Sequence, residues 1–104
     1  MKYENEDVPS SNNFIIYTRL NNGRMVERAL LERICNQVAK RISVLQPSQK
    51  YTSRTICGDE FWNGLSKGDV IHAGWCMSHI ESMELLPIIF VERSSENARL
   101  YSLK

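Results

Sequence analysis

Pro87 separates two patterns that no single element can carry. Before it, "SKGDVIHAGWCMSHIESMELL" (66–86) repeats apolar residues at three- and four-residue steps, the period of a helix. After it, "IIFVER" (88–93) and "RLYSLK" (99–104) are rich in β-branched and aromatic residues, and "SSENA" (94–98) joins them. That spacing predicts a terminal hairpin. A proline ends the helix because it lacks an amide hydrogen and pushes the preceding residue out of helical backbone. Ser66 is placed to cap the start, with Asp69 three residues on. The fold must therefore accommodate a helix that hands directly into a two-stranded ribbon.

The residues upstream supply what that unit packs on. "FIIYTRL" (14–20) reads as a strand and "NNG" (21–23) as a turn. "RMVERALLERICNQVAKRISVL" (24–45) predicts a long helix, with Met25, Ala29, Leu30, Ile34, Val38 and Ile42 forming its apolar stripe. Its basic residues fall off that stripe, as a solvated outer face or a phosphate-contacting one. "QPSQ" (46–49) breaks the helix. "YTSRTIC" (51–57) predicts a short strand, since three of its seven residues are β-branched. "GDEFWNGL" (58–65) predicts a short helix in which Asp59 caps the first turn. With Leu85 taken as buried, counting back puts Ala73, Cys76, Met77, Ile80 and Met83 on the core side of the longer helix. They would pack on Phe61 and Leu65, leaving Ile71, His72, Trp75, Ser78 and His79 outward.

A chain of 104 residues with 42% apolar content can bury one small core and not two. We read residues 1–12, "MKYENEDVPSSN", as a flexible acidic N-terminal arm and 13–104 as a single domain. The three cysteines are odd in number and form no CxxC pair, which predicts reduced thiols in a cytoplasmic protein. No apolar run approaches the ~18 residues of a membrane helix. The net charge of +1 is low for a dedicated nucleic-acid binder, although it permits a local basic patch.

From residue 24 the order is long helix, short strand, short helix, longer helix and C-terminal hairpin. This layout resembles the winged helix-turn-helix family. In that family the second helix of the motif typically ends in a small-residue or glycine turn, then a leucine pair, then the first wing strand. The matching residues are "IESMELLPIIF" (80–90) followed by "RLYSLK". Glu84 stands where the family often has glycine, and Gly68 and Gly74 sit at or inside the corresponding recognition helix. The resemblance implies an α+β, winged helix-turn-helix-like domain, here with an extra N-terminal strand and a C-terminal hairpin wing.

It also implies a non-enzymatic regulator that binds DNA through residues 67–79 and the wing. Lys50, Arg54, Lys67, Arg93 and Arg99 would contact phosphates, and His72, Trp75, Ser78 and His79 would face the groove. A protein-interaction module is the competing expectation, with Ile71, His72, Trp75 and His79 as the contact face. A homodimer suits either reading, and the chain's size suits an accessory factor of a phage or mobile element. His72, Cys76 and His79, with Cys57 approaching from the preceding strand, would make a zinc set on paper. A buried free cysteine is the commoner role, so no metal or cofactor is expected. Cys57 lies near a helix start, where a thiolate is favoured, but no base adjoins it and no catalytic residue is assigned.

Overall fold

In a computed structural model that describes residues 14–104, the first helix starts four residues later than the periodicity predicts. The residues before it form a hairpin. Strand β1 (Tyr17–Arg19) pairs antiparallel with β2 (Met25–Glu27), in register Thr18 to Val26. The "NNG" turn closes it, with Gly23 at φ +87° and the Leu20 N–H donating to the Arg24 carbonyl over 2.8 Å. Val26 is buried while Met25 and Glu27 are exposed, which is a period of two and not of four. Met25 and Ala29 are therefore exposed and do not belong to the helical stripe. Helix α1 (Arg28–Arg41) does bury Leu30, Ile34 and Val38 of the predicted stripe, and one 3-10 turn (Ile42–Val44) ends it. The acidic arm expected over residues 1–12 lies outside the described residues.

The strand predicted over 51–57 is a helix apart from its first two residues. Tyr51 alone makes a β-bridge, to Tyr101, and α2 runs Ser53–Cys57. The Thr52 hydroxyl accepts the Thr55 N–H at 3.2 Å and caps the turn. Side chains from α1 satisfy the carbonyls left over at the other end: Arg41 donates to Ile56 at 3.0 Å and Gln37 to Cys57 at 2.6 Å. Helix α3 (Asp59–Asn63) follows Gly58, which sits at φ +95°. Asp59 does not cap it; its carboxylate takes the Arg54 guanidinium at 2.9 Å.

Helix α4 (Lys67–Ser82) begins as its sequence predicts, with the Ser66 hydroxyl accepting the Asp69 N–H at 3.1 Å. Ala73, Cys76, Met77 and Ile80 are buried, and α4 lies along α1. Met83 and Leu85 are exposed, contrary to the count, because the helix ends in a Schellman turn. The Leu85 N–H reaches the Ile80 carbonyl at 3.0 Å, and the Glu84 N–H reaches Glu81 at 3.1 Å. Glu84 takes φ +55° there, so the apolar direction shifts and Ile88, rather than Leu85, is buried. A non-glycine residue in left-handed backbone costs roughly 1–2 kcal/mol. Glu84→Gly should therefore raise stability by about 0.5–1 kcal/mol, read as a thermal midpoint a few degrees higher. An unchanged or lower midpoint would mean that the exposed Glu84–Lys104 pair, at 3.8 Å, outweighs the strain.

Strands β3 (Ile88–Arg93) and β4 (Arg99–Leu103) form the predicted hairpin, with a bulge at Val91 between the Phe90–Tyr101 and Glu92–Leu100 pairs. One core joins all of this: Leu20 and Val26 from the first sheet, Ile34 and Val38 from α1, Ile56 and Cys57 from α2, Met77 and Ile80 from α4, Ile88 and Tyr101 from the second sheet. The described residues make a single α+β domain of four helices and two small antiparallel sheets.

Candidate interaction face

The outward side of α4 carries the side chains singled out above, and the β1–β2 turn lies against one flank of it. Ile71 is exposed. One turn on, Trp75 is half-buried, with the His72 ring stacked on it at 4.7 Å between centroids and 30° between planes. The Arg24 guanidinium covers the indole at 4.5 Å. The Asn21 backbone N–H donates to His79 Nδ1 at 2.9 Å, and the Asn21 side-chain oxygen lies 3.4 Å from the same nitrogen. Ser78 is half-buried on the same helix. Ile71, His72, Trp75 and His79 therefore do share a region, but Asn21 and Arg24 occupy part of it. Sequence reading missed those two; they lie 58 residues from His79 and 51 from Trp75, beyond any local signal.

The basic residues are differently placed. Lys50 pairs with Glu92 of β3 at 2.6 Å. Arg54 pairs with Asp59 at 2.9 Å and donates to the Asn63 side chain at 2.7 Å, bridging α2 and α3. Arg99 lies 3.9 Å over the Phe90 ring, donates to the Tyr101 hydroxyl at 3.0 Å, and has Glu81 of α4 at 3.8 Å. These three cations sit at three different junctions, each with a carboxylate beside it. Arg93 donates to the Asn97 carbonyl at the β3–β4 turn, and Lys67 is exposed at the start of α4. The basic excess of α1 is not a uniform outer face either, because Arg41 turns in to α2 and Arg33 lies 5.5 Å over the Phe61 ring.

The thiols are poor nucleophiles and poor ligands in this setting. Cys57 directly precedes Gly58, which opens α3, but it is also the last residue of α2, where the helix dipole disfavours a thiolate. Burial pushes its pKa up to about 11 against the opposing pull of Arg41. Burial, with Cys35 nearby, pushes Cys76 up to about 12. Cys35 is raised too, by burial and then by Glu32. Among the described residues no three His, Cys, Asp or Glu side chains converge as metal ligands, so Cys57, His72, Cys76 and His79 do not form the set drawn on paper. An open depression of about 470 Å³ lies where Arg41 meets residues 57–61, but the Cys57 side chain behind it is wholly buried. No described helix is long and apolar enough to cross a membrane.

Set against protein-family models, curated proteins and solved structures, the chain matches none.

Proposed function

We propose that this domain is a non-enzymatic protein-interaction module of winged-helix type, with the outward side of α4 as its docking helix. The element order supports the winged-helix reading. Helix α1, the Tyr51 rung on β4, the broken pair α2 and α3, helix α4 and the β3–β4 ribbon follow one another as in that family. The observation that carries the function is a contrast on the surface. An exposed Ile71 stands one turn from a half-exposed Trp75, while Lys50, Arg54 and Arg99 have carboxylates of their own chain as partners. Aromatic and apolar anchors dominate the energy of protein interfaces. A cation already paired gains less from a phosphate, because it must first lose its carboxylate.

DNA binding is the second reading, favoured by Lys67 at the start of α4 and Arg93 at the wing, both exposed. It predicts binding to a duplex that weakens steeply with salt. The first reading predicts only the nonspecific range, roughly 10⁻⁴–10⁻⁶ M, at physiological salt. Ile71→Asp separates them further, since Ile71 lies outside the core and its loss should leave the thermal midpoint nearly unchanged. Expressed with a tag in its native cell, the chain should retain a partner protein that the Ile71→Asp variant loses. Equal recovery by both chains, or tight salt-dependent duplex binding, overturns the proposal.

A further inference from the structure

Strand β1 has a partner on one side only. The Ile16 carbonyl accepts from Arg28 and the Leu20 N–H donates to Arg24, so residues 16, 18 and 20 turn their backbone groups toward β2. By strand alternation, the amides and carbonyls of Ile15, Tyr17 and Arg19 point to the other edge. Among the described residues no strand pairs with that edge. The segment "FIIYTR" holds no proline, no lysine and no bulge that would turn this edge away from a partner.

The edge is also strongly apolar. Phe14 is 81% exposed, Ile15 58%, Ile16 56%, Tyr17 54% and Met25 of the neighbouring strand 46%. With roughly 200 Å² for each large side chain, this leaves about 600 Å² of apolar surface on the hairpin. Pairing along the β1 edge covers the part of this surface that flanks the new seam, on both faces of the sheet. An open cleft of about 250 Å³ between residues 14–16 and Ala29 extends the same ground onto α1.

We infer that β1 pairs with β1 of a second copy, antiparallel and centred on Tyr17, making a four-stranded sheet in the order β2–β1–β1–β2. The charge pattern selects this arrangement. Arg19 is the single charged residue in 14–19. Antiparallel pairing about Tyr17 sets Arg19 against Ile15 of the partner subunit, where its aliphatic stem can pack. Parallel pairing would set Arg19 against Arg19. The two-fold register also places Tyr17 beside Tyr17 of the partner subunit, a favourable cross-strand aromatic pair. Two-fold closure uses the β1 edge of each copy, so no third chain can add to β1.

Sedimentation equilibrium of the full chain tests this over about 1 to 200 µM, a range set by the spread of affinities of protein interfaces. The expected result is a mass that rises to twice that of the monomer. Tyr17→Lys, which places like charges at the dyad, should weaken association by about tenfold or more with an unchanged circular dichroism spectrum and melt. Amide exchange supplies a second readout: Ile15, Tyr17 and Arg19 should slow as concentration rises, while Thr18 is slow throughout. A monomer across the range overturns the inference, as does a dimer indifferent to Tyr17→Lys. A full chain that stays monomeric while a chain lacking residues 1–13 dimerises also overturns it, because the edge is then covered from within.

Discussion

Ile34→Ala will lower the unfolding free energy by about 2–5 kcal/mol, measured as a shift of the urea midpoint at constant slope. Ile34 is wholly buried at the middle of α1, where that helix lies along α4. Removing three of its carbons forfeits their transfer energy and leaves a void that two packed helices cannot close without sliding. For a domain of this size the loss is a large part of a total near 5–15 kcal/mol. Ile34→Val removes one carbon from the same place and should cost about 0.5–1.5 kcal/mol. The two values together test the seam. A small loss for alanine would mean that α1 and α4 re-pack freely, and the outward side of α4 would then not be rigidly presented. Rigid presentation matters because the inner residues Ala73, Cys76, Met77 and Ile80 are what hold Ile71 and Trp75 facing out.

Elements whose signals lie within a few residues were legible. Ser66 and Asp69 bracket the start of α4, Pro87 follows its end, and the β-branched and aromatic runs after it do form a hairpin. The turn at 21–23 was equally plain, but its consequence was not: Met25 and Val26 match both a helical and an alternating pattern, and pairing with β1 decides between them. Helix α2 shows the reverse case. Thr52, Thr55 and Ile56 favour a strand locally, yet Arg41 and Gln37, 15 and 20 residues away, supply the hydrogen bonds that complete the helix. Such partners have no local signature. The same distance hid the pairing of Lys50 with Glu92, 42 residues on, so a set of cations that looks available in sequence is engaged in space. Met83 and Leu85 were misplaced because helical counting was carried through a left-handed residue at Glu84. The candidate face on α4 was legible because helical geometry alone groups Ile71, His72, Trp75 and His79, but its neighbours Asn21 and Arg24 come from the distant β1–β2 turn.

Tyr101→Ala should be the most damaging single change, with a loss of about 3–5 kcal/mol, the usual cost of deleting a buried aromatic ring. Tyr101 is wholly buried and joins three parts of the domain. Its backbone exchanges two hydrogen bonds with Tyr51, of 2.7 and 2.8 Å, tying the segment before α2 to β4. Its ring meets Phe90 edge-on at 6.3 Å, and its hydroxyl takes the Arg99 Nε–H at 3.0 Å. The backbone bonds survive the substitution, so the loss is that of the ring and the hydroxyl. Tyr101→Phe divides these. It keeps the ring and removes only an acceptor for an arginine that retains Glu81 and the Phe90 face, so about 0.5–1.5 kcal/mol is expected. If phenylalanine costs as much as alanine, the hydroxyl that orients Arg99 toward Glu81 of α4, rather than ring packing, holds the β3–β4 hairpin to the helices. Arg99 would then be unable to release Glu81 for a phosphate without loosening the fold. A phenylalanine variant close to wild type leaves the β3–β4 hairpin anchored by apolar contact, with the arginine fixed over two aromatic rings.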